Sequence, residues 1–431
     1  MSAVWKETEK LKSFGPLEGN ISTDILIVGG GLAGLLLSRR LREAGADTVL
    51  CEAKRIGGGI TANTTAKITY QHGLIYSRLI KKLGREAAGL YLSSQREAFL
   101  KLEGLCEGID CDYEKKDNYV YLCRDRKRIQ NEAEAINSLG GEADVWVPDI
   151  PVETVGAVRV RSQGQLNPVK LLSAIAGGLP VFENTKVLEL SENKAVTAGG
   201  KISFKRVVIA THFPIINKHG AYFLKMSQHR SYVYALKGVK LPEGMFLDGE
   251  EGGYSFRTYK DMLLLGGGGH RTGKSGGGFS ALSELVRRAY PNAELLAKWA
   301  TQDCMTLDGV PYIGRYSKNT PNMFVATGFN KWGFTSSMVA ADILCDLLCG
   351  KENKYERLYS PARSLFHPRL FENALESALG LMTPTAPRCP HMGCALKYNA
   401  EENTWDCPCH GSRFTREGEL IDNPATDDMK R

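Results

Sequence analysis

Hydrophobic positions between Asp24 and Lys54 switch from a continuous run to a helical period and back to a run. The segment TDILIVGGGLAGLLLSRRLREAGADTVLCEAK predicts a buried strand over Ile25 to Val28, a glycine turn, an amphipathic helix ending near Gly45, and a second strand ending at Glu52. Strand, helix and strand in that order make a βαβ unit. Farther along, RVVIATHFPI (206–215) predicts a strand closing on Ala210 and Thr211. Residues 308–350 predict a strand ending in VATG, a short loop, and a helix from about Thr335 capped by Gly350. Between these, RSYVYAL alternates apolar and polar residues, MFLD and YSFRTY flank a GEEGG turn, and MLLLGGGGH returns as another strand. GREAAGLYLSSQREAFLKLEGL (84–105) carries the helical period, and FENALESALGLMTPTAPR (371–388) reads as a helix followed by a Pro-rich turn.

The first glycine turn is chemically specific. Gly29, Gly31 and Gly34 supply G-x-G-x-x-G between strand and helix: the first makes the tight turn, the second admits a pyrophosphate to the backbone, and the third lets the helix pack on the strand. The helix N-terminus then turns free N–H groups and a positive dipole end toward the phosphates. Glu52 stands 23 residues after Gly29, where a carboxylate accepts hydrogen bonds from ribose hydroxyls. RIGGGITANTTAKITYQHG (55–73) follows at once with another glycine turn and a Thr-rich stretch, which suits a long ligand such as FAD continuing past its adenosine half. Candidate cofactor contacts here are Glu52, Ala53, Lys54, Thr61 and Thr65. Ala210 and Thr211 join them from the later strand, and Gly328, Gly333, Phe334 and Thr335 from the loop and helix whose positive end favours an electron-rich flavin ring.

Composition narrows the class without choosing the chemistry. At 431 residues, 43% hydrophobic and 24% charged, the chain has room for two or three soluble domains. A net charge of +7 is scattered, with no basic stripe for nucleic acid; the densest patch, RDRKR (124–128), reads as a solvated turn. The N-terminus lacks the pattern of a signal peptide, and the longest apolar stretch, MVAADILCDLLCG, is too short to span a bilayer. These features lead us to expect a cytoplasmic protein. Of its eleven cysteines, those at 51, 106, 111, 123, 304, 345 and 349 are expected as small buried hydrophobes of a reducing compartment.

Over roughly residues 20 to 352 the chain resembles the D-amino-acid oxidase/glycine oxidase superfamily of FAD-dependent oxidoreductases. The resemblance implies an α/β fold: a Rossmann-like FAD-binding domain assembled from separated segments (1–80, 151–221 and 301–352) and an α+β substrate cap with a mixed sheet (81–150 and 222–300). It also implies hydride transfer from a carbon bearing nitrogen to the flavin, the protein chiefly orienting a small amine or amino-acid substrate. Lys67, His72, Arg257 and His270 are candidate catalytic residues by family position and residue type. Arg257 suits a substrate carboxylate through its two-pronged fork. Each has a structural alternative: Lys67 as a phosphate holder, Arg257 in an internal ion pair, His270 in a satisfied turn.

The last four cysteines belong to a second motif. Cys389-x-His391, fifteen intervening residues and Cys407-x-x-His410 place two thiols and two imidazoles in paired loops. That ligand set also fits tetrahedral zinc. With Cys394, Cys409 and the HGS that ends at Ser412, however, the region resembles a Rieske [2Fe-2S] protein over about 386–425. The resemblance implies Cys389, His391, Cys407 and His410 as iron ligands in a small β subdomain (386–431, after a linker at 353–385), a disulfide between Cys394 and Cys409, and a Ser412 hydroxyl donated to a cluster sulfide. Such centres span roughly −150 to +300 mV. Phe414 stands where high-potential members carry a tyrosine hydroxyl, so a lower potential is expected. Strands that precede the first cluster loop in a whole Rieske domain are missing from the pattern, so the loops are expected to lean on the flavin domain.

A flavin takes two electrons at once and a [2Fe-2S] cluster carries one, so the two motifs together imply a dehydrogenase that feeds a one-electron carrier protein or quinone-like acceptor. An electron-transfer or redox-sensing protein without substrate turnover, and a flavin dehydrogenase acting on a hydroxyl substrate, are the alternatives.

Overall fold

A computed structural model of the chain describes residues 3–9, 11–216, 219–363, 368–384 and 387–429. Residues 364–367 and 385 of the expected linker, and 386, 430 and 431 of the expected cluster region, lie outside the described residues.

The strand Ile21–Val28 is buried along its apolar half and pairs in parallel with Thr48–Cys51 on one side and Lys201–Ile209 on the other. A parallel strand covered on both faces reads as an unbroken apolar run, which is why the period-2 signal is absent there. Tyr312–Arg315, Met323–Thr327 and Val181–Phe182 complete the path of this eight-stranded sheet, and Val187–Leu190 with Lys194–Thr197 form a ribbon at its edge. Helices Leu32–Glu43 and Gly333–Leu348 pack together against it.

The second sheet has nine strands and mixed pairing. Its path runs Glu294–Thr306, Met226–Lys237, Met262–Arg271, Ser255–Tyr259, Met245–Asp248, Glu114–Leu122, Gly156–Gln165 and Lys67–Ile68, with Asp144–Trp146 added on Gly156–Gln165. Met245–Asp248 runs parallel to Asn118–Tyr121, and the other pairs are antiparallel. Here the expected boundaries need correction. Gly156–Gln165, expected in the dinucleotide domain, is hydrogen-bonded into the cap sheet against Glu114–Leu122, and Glu294–Thr306 crosses the expected boundary at 300. Residue period identifies a strand but does not name its neighbour, which is set by register across the sheet.

The RDRKR patch does not remain a turn. The Asp125 carboxylate accepts the Arg128 N–H at 3.2 Å and caps the helix Arg126–Ser138, leaving the basic side chains exposed in its first turn. Cys123 and Cys349 are exposed, whereas Cys51, Cys106, Cys111, Cys304 and Cys345 are buried as expected. No helix among the described residues is long and apolar enough to cross a membrane.

After the helix Pro368–Met382 come four three-residue strands, Lys397–Asn399, Thr404–Asp406, Arg413–Thr415 and Leu420–Asp422, paired consecutively in an antiparallel sheet. The segment ahead of the first cysteine knot is therefore helical, and the sheet is built from residues between and after the two knots.

Candidate functional site

At the first glycine turn, a Cβ on Gly29 would lie 2.5 Å from the Ala210 carbonyl oxygen, and Gly29 has φ of 116°. A Cβ on Gly34 would lie 2.0 Å from the Gly29 carbonyl oxygen, so neither position tolerates a side chain. Gly31 differs: its Cβ would meet only the Thr61 hydroxyl, at 3.4 Å. Thr61 Oγ1 accepts the Leu32 N–H at 3.2 Å, tying the second glycine turn to the start of the helix. The Glu52 carboxylate accepts the Gly30 and Lys54 N–H groups at 2.7 and 2.8 Å, which fixes it at the end of its strand with lone pairs left over for a ligand. Ala53 and Lys54 are exposed just beyond it. Gly328 has φ of 71° and no room for a Cβ beside Thr306, and the helix that follows begins at Gly333 with Phe334 and Thr335 buried in its first turn.

The four catalytic candidates do not form one cluster. His72 is buried, with Nδ1 bonded to the Tyr91 hydroxyl (2.7 Å) and Nε2 to the Thr69 carbonyl (2.9 Å) and the Thr335 hydroxyl (3.0 Å). It stacks on Trp332 at 4.7 Å, and burial pushes its pKa down to about 3. His72 is thus a neutral strut between residues 69–72 and the helix start. Arg257 is wholly buried and donates to the carbonyls of Thr65, Ala66 (2.9 Å), Leu166 (3.3 Å) and Thr258 (3.1 Å). Burial lowers its pKa to about 9. Lys67 bonds the Thr65 hydroxyl at 3.3 Å, and burial, then the neighbouring Arg257 charge, bring its pKa to about 7. His270 stacks on Tyr232 at 5.6 Å and its Nδ1 meets the Gly268 carbonyl at 3.3 Å. Leu264 is the register partner of Arg257, and His270 lies six residues farther along that strand, about 20 Å at ~3.3 Å per residue. The structure unites Lys67 with Arg257, ties His72 to Thr335, and sets His270 apart.

The two C-terminal knots are closed by their own backbones: Cys389 N–H to Cys394 O (2.9 Å), Gly393 N–H to Cys389 O (2.8 Å), Cys407 N–H to Ser412 O (2.8 Å) and Gly411 N–H to Cys407 O (2.9 Å). Gly393 and Gly411 have φ of 78° and 91°, a left-handed geometry that glycine adopts without strain. The knots face each other, with the His391 and His410 rings 5.0 Å apart and nearly perpendicular. The sulfurs of Cys394, Cys407 and Cys409 lie within 4.8 Å of one another. His410 Nε2 pairs with the Ser377 hydroxyl at 3.1 Å, while its Nδ1 is buried without a hydrogen-bond partner. An orphaned imidazole nitrogen beside gathered thiols is a donor set waiting for a metal. The Cys389 and Cys407 thiols are hydrogen-bonded to each other, which lowers the pKa of Cys407 and raises that of Cys389. Ser412 accepts the Ala425 N–H at 3.0 Å and also bonds Cys389, and Phe414 is fully buried.

Comparison with known proteins decides the family. Residues 24–347 match the family of FAD dependent oxidoreductases (DAO), and residues 379–431 match the Rieske [2Fe-2S] domain. The chain belongs to the DAO family of FAD-dependent oxidoreductases. It carries a C-terminal Rieske domain, and its cofactors are FAD and a [2Fe-2S] cluster. A relative of the same arrangement is the putative Rieske 2Fe-2S iron-sulfur protein YhfW of Bacillus subtilis, 31% identical over 99% of this chain and 96% of the relative. Among solved structures, glycine oxidase from Geobacillus kaustophilus superposes with a TM-score of 0.67 at 21% identity, over 80% of this chain and 99% of that one. L-proline dehydrogenase from P. horikoshii superposes with a TM-score of 0.66 at 19% identity, over 81% and 98%.

In this flavoprotein the Rieske domain rests on the body, as its missing strands led us to expect. The Phe213 ring, two residues beyond Thr211, meets His391 edge-on at 6.4 Å, and Phe223 meets His410 at 5.7 Å. Sequence reasoning missed the helix Pro368–Met382 as part of this site. Its Glu376 carbonyl accepts the Cys409 thiol at 3.5 Å, its Gly380 carbonyl accepts the Ala395 N–H at 2.9 Å, and a Cβ on Gly380 would lie 2.4 Å from Cys409 Sγ. The available signal was Gly380, a poor helix former inside a helical run just before the first knot. Cys394 and Cys409 are free cysteines in the structure, where the Rieske resemblance implied a disulfide between them.

Proposed function

We propose that this chain is a dehydrogenase of amine or amino-acid donors whose electrons leave through the Rieske domain to an external one-electron carrier protein or quinone-like acceptor. The observation that carries the proposal is the contact of Phe213 with His391, because Phe213 lies four residues beyond the strand Lys201–Ile209, whose following residue Ala210 packs on the dinucleotide turn at Gly29. The likeness to the structures of glycine oxidase and L-proline dehydrogenase supports a CH–NH donor. When bound, the flavin accepts a hydride from the carbon bearing nitrogen and the cluster carries single electrons. For each imine formed, the donor loses two electrons and two protons, and two oxidised one-electron carriers become reduced.

The chain's own groups take the following parts. Lys67, with a pKa near 7, is half neutral at that pH and receives the proton of an ammonium donor, leaving the uncharged amine that hydride loss needs. Arg257 spends its guanidinium on the carbonyls of Thr65, Ala66 and Leu166, so it holds the segment that carries Lys67 and offers no free fork to a substrate carboxylate. His72 supports the start of the helix Gly333–Leu348. His270 serves the cap sheet. A Cys394–Cys409 disulfide completes the reading, and its test is a gain of two alkyl groups at these positions when the protein is reduced before alkylation.

An anaerobic screen of amines, amino acids and hydroxy acids, followed by flavin bleaching, identifies the donor. With that donor, Cys389→Ser is expected to keep flavin reduction and lose reduction of cytochrome c used as a carrier. Unchanged cytochrome reduction would refute the relay.

A further inference from the structure

We infer that the Rieske domain sits in one fixed seat on the flavoprotein body, and that Asn423 and Gln228 are the positioning residues that set it. This rests on the electron relay proposed above. Asn423 Nδ2 reaches out of the Rieske domain and donates to the backbone carbonyls of Thr211 (2.6 Å) and Phe213 (2.8 Å), the residues at the end of the dinucleotide strand. Its own carbonyl accepts Gln228 Nε2 at 2.7 Å, and the same nitrogen donates to the His410 carbonyl at 2.9 Å. One amide of the cap sheet therefore holds both the second knot and the residue that grips the flavin strand.

Gln228 is itself held. Its Oε1 accepts Gln302 Nε2 at 2.8 Å, and that nitrogen also donates to the Gly411 carbonyl at 2.8 Å. Gln302 Oε1 accepts the Thr272 hydroxyl at 2.8 Å. Gln228, Gln302 and Thr272 are buried to 1% exposure or less. Buried amides that spend both ends on neighbours across a contact specify one geometry, since any shift orphans several polar groups at once. The backbones close in the same way. A Cβ on Gly411 would lie 2.5 Å from Gln228 Cβ, and a Cβ on Gly273 would lie 2.6 Å from the Pro408 nitrogen. Arg271 adds a bond to the Cys409 carbonyl at 3.0 Å. A domain that swung between donor and acceptor would have to break this set in every cycle. The fixed seat means that the external carrier comes to the cluster, and that residues 211–213 keep a constant relation to both knots.

The test uses the full-length holoprotein. Asn423→Ala removes the two donated bonds, and Asn423→Asp turns carboxylate oxygens against the Thr211 and Phe213 carbonyls. Amide hydrogen exchange is measured on oxidised and dithionite-reduced protein. Cluster bleaching is timed after a laser flash in the presence of EDTA, which photoreduces the flavin. In the wild type, residues 209–213 and 407–412 are expected to be protected equally in both redox states. In Asn423→Asp those segments exchange faster and cluster bleaching slows about tenfold, within the 10²-fold that a misplacement of about an ångström can cost a positioned reaction, while flavin photoreduction and the cluster EPR spectrum are unchanged. Loss of protection at these segments on reduction of the wild type, or undiminished bleaching in an Asn423→Asp protein whose interface has opened, would overturn the fixed seat. A wild-type cluster that never bleaches would instead overturn the relay, and hydrogen exchange would still decide the seat.

Discussion

Glu402 is the charge on which the Rieske domain is hung, and replacing it by glutamine isolates what that charge contributes. Its carboxylate receives Arg230 through Nε (3.0 Å) and NH2, Arg413 through NH2 (2.7 Å) and the Tyr232 hydroxyl (3.1 Å). Arg230 and Tyr232 belong to the cap sheet, whereas Glu402 and Arg413 belong to the Rieske domain. The side chains of Arg230, Glu402 and Arg413 are 3%, 9% and 5% exposed. Breaking a buried pair by removing one charge costs about 3–5 kcal/mol, because the surviving partner is left desolvated. Among the described residues, Arg413 retains carboxylates of Asp406 at 3.0 Å and Asp422 at 3.1 Å, but Arg230 retains only that of Asp422, at 4.0 Å. One orphaned arginine and not two puts Glu402→Gln at the lower end, about 3 kcal/mol, or roughly a hundredfold in the equilibrium for releasing the domain. Urea titration followed by cluster absorbance, with flavin absorbance as the internal reference, reads this directly. Arg230→Met/Glu402→Leu should recover part of the loss, since it removes the orphan as well. A Glu402→Gln midpoint within about 0.5 kcal/mol of the wild type, the size of an ordinary surface substitution, would refute the reasoning. The same carboxylate sets a pH limit. Burial pushes its pKa up, but Arg230 and Arg413 together hold it below the ordinary value. The stabilisation is therefore complete above the unfolded pKa of about 4.3 and is lost as pH falls through the lower folded value.

Three further outcomes are expected. Gly34→Val drives a Cβ into the Gly29 carbonyl oxygen, which it would approach to 2.0 Å, and should yield folded protein with flavin absent from its absorbance spectrum while iron is retained. Gly380→Ala presses a methyl group against Cys409 Sγ and should lower iron content per chain at unchanged flavin content, measured by metal analysis. Lys67 has a folded pKa of about 7 against about 10.4 unfolded, so the folded state disfavours its charge; apoprotein stability should rise with pH between those values, and Lys67→Met should abolish that rise in urea titrations at pH 6, 8 and 10.

How much of this was legible in the sequence depends on how far each constraint reaches along the chain. Gly29, Gly31 and Gly34 lie within six residues at the strand-to-helix turn, so the G-x-G-x-x-G pattern is legible there, although the crowding at Gly29 comes from Ala210 on a distant strand and Gly31 is not crowded by the protein. The Rieske domain was legible because thiols and imidazoles at the spacing of Cys389, His391, Cys407 and His410 have few other uses. The burial of His72 and Arg257 was not legible, because a histidine or arginine has the same local signature whether it faces a substrate or carbonyls from a remote loop. Gly156–Gln165 fell within the range expected for the dinucleotide domain because its partner, Glu114–Leu122, lies across an intervening helix and is chosen by register. Ser377 escaped notice for a similar reason: its contact is with His410, thirty-three residues away, and a serine in an amphipathic helix carries no mark of that.

The measurement that bears most directly on the central claim is photoreduction of the anaerobic holoprotein with EDTA, followed by low-temperature EPR. The proposed relay through residues 211–213 and the two knots predicts that light absorbed by the flavin produces the axial or rhombic signal of a reduced Rieske centre in stoichiometric yield. A protein whose flavin bleaches fully while the cluster stays oxidised, or whose knots contain zinc by metal analysis, would contradict it.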